Sequence, residues 1–280
     1  MIDQSRLWDA QAAAEYDTPG EGMFAPEVLG PTVDLLAELA AGGPALELAI
    51  GTGRVAIPLR EAGVPVTGIE LSEPMIARLR EKADAASIPV VAGDMATAAA
   101  GEGFSLVYLV FNTISNLLTQ EEQVACFRNA ARHLAPGGCF VVELWVPQLR
   151  SLAPGHGGTV EVSEPGYLLV DTYDVLAQQV VSHHLRFDPA VDGARGARLG
   201  RTPHRYIWPS ELDLMAQLAG FTRESRWAGW DRSEFTADSR SHVTVYRLTG
   251  GTPLATPRPR RSPCDGTRSP SRTSPPSPHC

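Results

Sequence analysis

Short apolar runs alternate with longer segments whose apolar positions recur every three or four residues. The run Ala45-Leu46-Glu47-Leu48-Ala49-Ile50 has five apolar residues in six and is too short for a helix. It predicts a buried strand over 45–50. Similar runs predict strands over 65–70, 88–92, 104–111 and 139–145. The 104–111 run carries Leu106, Val107, Leu109 and Val110, the continuous pattern of a parallel strand covered on both faces. Between these runs lie helical patterns at 54–62 (despite Pro58), 73–86 with Pro74 in its first turn, and 120–134. Strand and helix alternate, which predicts a parallel sheet with helices on both faces.

The flanks differ. Residues 5–16 are rich in Ala and include Leu7 and Trp8, and read as a helix broken by Pro19, Gly20 and Gly22. A second helix starts near Pro31 and ends at Gly42-Gly43, with Val33, Leu35, Leu36 and Leu39 on its apolar face. After residue 146 the rhythm changes. Pro154, Gly155, Gly157 and Gly158 read as a loop. Near-alternation then predicts strands at 167–174 and 178–187, a Gly- and Ala-rich mobile stretch at 188–200, and a third strand at 204–208. A helix opens at Pro209 and ends at Gly220, and 221–227 and 242–248 read as a closing antiparallel pair. Trp230 and Phe235, between them, are placed beside the pocket. From Thr249 on, Pro, Ser, Arg and Thr dominate, which predicts disorder.

The chemistry starts where the first strand ends. Gly51-x-Gly53-x-x-Ala56 makes a tight turn that lets a ligand approach the backbone. Alone, it fits a dinucleotide, S-adenosylmethionine (SAM) or no ligand. Two acids narrow the choice. Glu47 precedes the turn, where a carboxylate suits a cationic ligand better than a pyrophosphate. Glu70, in Gly68-Ile69-Glu70-Leu71-Ser72, ends the next strand about 20 residues past the turn, where a ribose diol would be held.

Four segments in order resemble the motifs of class I SAM-dependent methyltransferases, in particular small-molecule enzymes such as sugar-amine N-methyltransferases. They are Leu46-Glu47-Leu48-Ala49-Ile50-Gly51-Thr52-Gly53, Gly68-Ile69-Glu70-Leu71-Ser72, Gly93-Asp94-Met95 and Leu134-Ala135-Pro136-Gly137-Gly138. The resemblance covers residues 16–149 and, more loosely, the chain to 248. The departure is Ala49, where the family often has glycine. The resemblance implies a Rossmann-like, doubly wound α/β fold with a seven-stranded sheet and an antiparallel lid after strand five. It divides the chain into an N-terminal helical cap (1–43), a SAM-binding core (44–149), a lid insert (150–208), the closing elements (209–249) and a tail (250–280).

It also implies site roles. Glu70 accepts from the ribose hydroxyls, Asp94 from the adenine amino group, and Leu71 and Met95 sandwich the adenine. Tyr16 lies near the methionine moiety, and Phe111 and Asn112 beside the sulfonium. Glu47, Ala49, Gly51, Gly53 and Met75 complete the cofactor set. Asn116 stands where sugar-amine enzymes can carry a histidine, which puts a histidine base there in doubt. On the lid, Tyr173 and Arg205 are candidate acceptor contacts, and His183 or His184 a candidate base. Adjacent strand residues face opposite ways, so at most one of the two histidines faces the pocket. Glu143, near the end of strand five, is a costly carboxylate unless it binds something.

Composition trims the alternatives. The net charge is −8, and the stretch from Gly250 on carries five Arg and one Asp, so the body is more acidic than the whole. That argues against a nucleic-acid partner. No apolar run approaches a membrane span, and the first thirty residues lack a signal pattern, so a cytoplasmic location is expected. Cys126, Cys139, Cys264 and Cys280 form no C-x-x-C pair, and no metal site is expected. The expected partner is a small-molecule methyl acceptor, on nitrogen or oxygen, with a homodimer left open. A nicotinamide oxidoreductase and a non-catalytic SAM-binding protein are the alternatives.

Overall fold

The fold is described from a computed structural model over residues 7–187 and 196–249. The apolar run at 45 forms β1 (Ala45–Leu48), with all four residues buried. It is followed by α3 (Ala56–Glu61), β2 (Val66–Glu70), α4 (Glu73–Arg80), β3 (Val90–Ala92), β4 (Phe104–Leu109), α5 (Gln120–His133) and β5 (Leu134–Trp145). Two helices precede them, α1 (Ala10–Tyr16) and α2 (Pro26–Ala40). Later come β6 (Gly158–Glu164), β7 (Tyr167–Asp174), β8 (Gln179–Phe187), β9 (Ala197–Arg205), α6 (Pro209–Leu218), β10 (Phe221–Trp227) and β11 (Ser241–Leu248).

The main sheet has seven strands in the order β10-β11-β5-β4-β1-β2-β3. Pairs from β5 to β3 are parallel; β11 runs antiparallel to β5 and to β10. β1 lies between β2 and β4, so the strand order reverses there, and a crevice opens beyond the carboxyl ends of β1 and β4. Each face of the sheet is covered. One core gathers Phe127, Phe140, Phe221 and Tyr246, with the Phe127 ring meeting the other three at steep angles. The other gathers Leu36, Leu59 and Leu79 from α2, α3 and α4.

Local chemistry explains the helix boundaries. Thr119 and Glu122 form a reciprocal capping box that starts α5. Ser72 caps α4, with Pro74 in the first turn. α2 begins earlier than expected. Pro26 takes the preorganised first position and Pro31 is carried inside the helix. The N-terminal segment is tied to the crevice by Asp17, whose carboxylate accepts from Thr52 Oγ1 at 2.6 Å and from Lys82 Nζ at 2.7 Å. Ser72 Oγ also donates to Trp8 O at 2.6 Å.

The second sheet is antiparallel, in the order β6-β7-β8-β9. β6 begins at Gly158, the last residue expected in the loop, and runs over 159–164, where no element was expected. β9 starts at Ala197 rather than 204 and ends at Arg205, so the end of the expected mobile stretch is strand. Residues 188–195, and the tail expected to be disordered at 250–280, lie outside the described residues. No helix among the described residues is long and apolar enough to cross a membrane.

Candidate functional site

The turn after β1 is built from left-handed backbone. Ala49 has φ +53°, Gly51 +58° and Gly53 +82°. The two glycines do different work. A Cβ on Gly51 would meet no protein atom within 4 Å, so its missing side chain leaves open space in front of the turn. A Cβ on Gly53 would come within 2.3 Å of Leu79 Cδ1, so this glycine lets the turn pack against α4. Gly51 lines the cavity described below and Gly53 does not.

Glu70 locks the tip of β2 to this turn. Its Oε2 accepts the Gly51 N–H at 2.8 Å and its Oε1 accepts the Ser72 N–H at 2.8 Å. The residue is buried, and burial raises its pKa against the lowering effect of these amides. Each oxygen keeps a lone pair, so the carboxylate can still accept from a diol. Asp94 Oδ1 accepts from the Ala96 N–H at 2.6 Å and orders the loop after β3.

These elements border a cavity of about 740 Å³. One wall is made by the strand ends: Ala49, Gly51, Glu70 and Asp94, with Leu71, Met75 and Met95 as its apolar part. Tyr16, Phe111 and Asn112 also line it. The opposite wall is the second sheet, which contributes Ser182, His184, Thr202 and His204, joined by Asn116, Glu143 and Trp145.

The tips of β4 and β5 are cross-linked. Phe111 and Asn112 both have positive φ, +51° and +65°. The Phe111 N–H donates to Glu143 Oε2 at 2.6 Å, and Asn112 Oδ1 accepts the Trp145 N–H at 3.0 Å. Two adjacent non-glycine residues in this conformation are strained, and the two hydrogen bonds hold them there. Glu143 therefore has an internal partner as well as access to the cavity.

Several expected contacts lie elsewhere. Glu47 is buried beneath the turn, does not line the cavity, and accepts from Tyr108 Oη at 2.9 Å. Burial raises its pKa to about 8. Arg205 points away from the cavity into a buried network: it donates to Gln123 Oε1 at 2.6 Å and to Glu211 Oε1 at 2.8 Å. Tyr173 packs near Tyr206, with ring centroids 6.3 Å apart, and does not line the cavity. His183 bonds Thr172 Oγ1 at 3.0 Å, while His184 lines the cavity with Nδ1 2.7 Å from Tyr167 Oη. Trp230 borders a smaller cavity of about 210 Å³ beside Phe111 and Glu143. Phe235 stacks edge-on against His242.

The sequence did not single out Trp145, Ser182, Thr202 and His204. Only strand alternation around His184 could have suggested Ser182. His204 and Trp145 meet edge-to-face at 5.9 Å, and His204 Nδ1 and Trp145 Nε1 are buried without protein partners. Burial lowers the His204 pKa to about 4, so its imidazole is neutral. Burial and Arg186 lower the pKa of His184 as well.

This donor set fits SAM. The open face of Gly51, the acid at the β2 tip and the apolar pair Leu71 and Met95 match a ribose and a flat adenine. Among the described residues no group of three His, Cys, Asp or Glu could hold a metal ion.

Comparisons with known proteins agree. A family profile described as "Methyltransferase domain" matches residues 45–138. The CcbJ methyltransferase from Streptomyces caelestis superposes with a TM-score of 0.75 and 38% identity, covering 88% of this chain and 99% of that one. The cypemycin N-terminal methyltransferase from Streptomyces sp is 27% identical over 253 residues, 88% of this chain and 98% of the relative. SAM-bound CalS10, an amino pentose methyltransferase from Micromonospora echinaspora, has a TM-score of 0.63 at 23% identity, covering 85% of this chain and 97% of its own, a likeness of fold.

Proposed function

Since the chain belongs to the class I SAM-dependent methyltransferases, we propose that it methylates an amine nitrogen of a small molecule held between the strand ends and the second sheet. The nicotinamide alternative and the non-catalytic one fall with that family assignment. The observation that carries the proposal is the two-sided cavity. One wall has the shape and hydrogen-bonding groups for the cofactor, and the other brings Ser182, His184, Thr202 and His204 of the second sheet to a second ligand.

SAM, when bound, supplies a methyl group already activated by its sulfonium. The residues then have to align the acceptor in line with that group and exclude water. Alignment of this kind can lower a barrier by roughly 7–11 kcal/mol. Glu70, Asp94, Leu71 and Met95 are assigned to the cofactor. Asn116, Trp145 and His204 are assigned to the acceptor's polar atoms, and His184 to its proton. An imidazole at this place can take the proton of either acceptor. The amine reading rests on the names of the cypemycin and amino pentose relatives.

The test is methyl transfer from isotopically labelled SAM to a panel of amino sugars, peptides with free N-termini, and their hydroxyl counterparts. Labelled product from amines and not from hydroxyl analogues is expected. Product from hydroxyl analogues alone contradicts the nitrogen assignment.

A further inference from the structure

Asp171 is a buried carboxylate with an unused oxygen. It lies on β7, 4% exposed, on the strand face that also carries Tyr167 and Leu169. Its carboxylate accepts a hydrogen bond from Ser182, but Oδ1 has no partner. Leaving such an oxygen unpaired is costly unless something else answers it. The register shows what is near. Asp171 pairs with Ser182 and Leu169 with His184, so Asp171 and His184 are diagonal neighbours on one face of the sheet. Ser182 and His184 both line the cavity. Asp171 thus lies diagonally beside the imidazole assigned to the acceptor's proton, on the same face of the sheet.

We propose that Asp171 is a positioning residue, whose charge stabilises the imidazolium formed when His184 takes the proton released by the methylated acceptor nitrogen. The proposal rests on the amine reading above. In the balanced step a nitrogen–carbon bond forms, the carbon–sulfur bond breaks, and one proton passes from nitrogen to His184 Nε2. Tyr167 Oη lies 2.7 Å from Nδ1, and the tautomer with its hydrogen on Nδ1 is the one that leaves Nε2 to take the proton.

The other charged and titratable groups around His184 explain why it needs this support. On β8 itself, Arg186 and His183 oppose a positive imidazole. On β9, the neutral His204 gives no counter-charge. Tyr167 on β7 is uncharged near neutrality, its pKa raised by burial. Glu143, which joins the same wall, is already bonded to the Phe111 N–H. Asp171 is the negative neighbour that favours the imidazolium.

The measurement is the titration of His184 in the full chain with S-adenosylhomocysteine, followed by 15N NMR of its ring nitrogens from pH 5 to 8. Asp171→Asn keeps a group that can bond Ser182 and removes the charge. Its His184 midpoint is expected about 1 pH unit below the unmodified protein's. The acidic limb of the amine-methylation pH profile should move by the same amount. Asp171→Ser removes the same charge with a smaller side chain and gives the same reading if the amide disturbs folding. An unchanged midpoint in both variants overturns the proposal. A lowered midpoint together with undiminished amine methylation by His184→Asn overturns the base assignment and leaves the Asp171–His184 coupling standing.

Discussion

Glu70 Oε2 accepts the backbone N–H of Gly51 at 2.8 Å. The carboxylate assigned to the ribose is thus also the clamp that holds the glycine turn against the tip of β2. Binding and local backbone order are coupled through one side chain. Glu70→Gln keeps one acceptor oxygen but loses the charge, and charge-assisted hydrogen bonds contribute about 1.5–3 kcal/mol. Affinity for S-adenosylhomocysteine, measured by titration calorimetry, should fall about 10- to 100-fold.

Ala49 holds φ +53° with a β-carbon. The left-handed region costs a non-glycine residue about 1–2 kcal/mol, while glycine adds about 0.5–1 kcal/mol of unfolded-state entropy. Ala49→Gly should therefore stabilise the protein by up to about 1.5 kcal/mol in urea unfolding. Gly53→Ala should destabilise it, because its new methyl would meet Leu79.

Burial raises the Glu47 pKa to about 8 from an ordinary 4.5. Below pH 4.5 both folded and unfolded states are protonated here. Between 4.5 and 8 the unfolded state releases the proton and the folded state keeps it, so this group's contribution falls as pH rises. The slope is about 1.4 kcal/mol per pH unit, and the penalty is complete above 8. Glu47→Gln preserves an acceptor for Tyr108 and removes the titration. Its stability relative to the unmodified chain should rise from pH 5 to pH 8 in denaturant titrations and level off beyond.

Buried Arg205 and half-buried Glu211 form an ion pair at 2.8 Å that joins the second sheet to α6. Removing Arg205 leaves Glu211 with its Gln120 and Gln178 donors but takes away the charged hydrogen bonds to Gln123 and Glu211, a loss of about 1.5–3 kcal/mol. Arg205→Ala should show that loss in chemical unfolding.

How much of this was legible beforehand follows from the range of the interactions. The buried strands of the main sheet declare themselves as apolar runs, and Thr119 and Ser72 mark helix starts by local hydrogen bonding. β9 did not. Residues Ala197–Arg205 are polar and largely exposed, and they form a strand only because they pair with β8. β6 likewise depends on its partner β7. The inward turn of Arg205, expected as an acceptor contact, was hidden for a similar reason, since its acceptor Gln123 is 82 residues away. Glu47 finds Tyr108 across 61 residues and turns inward under the glycine turn. The acids and apolar residues at the β2 and β3 tips line the cavity because strand ends converge at the point of order reversal, which alternation alone already implies. Trp145 and His204 could not be foreseen, because their meeting depends on how the second sheet closes over the first.

The most direct measurement is a crystal structure of the full chain with S-adenosylhomocysteine. The ribose hydroxyls should lie on Glu70, the adenine between Leu71 and Met95, and the sulfur should face the space enclosed by Asn116, Trp145 and His184. A ligand bound away from Glu70, or a sulfur turned from the second sheet, would contradict the two-walled site.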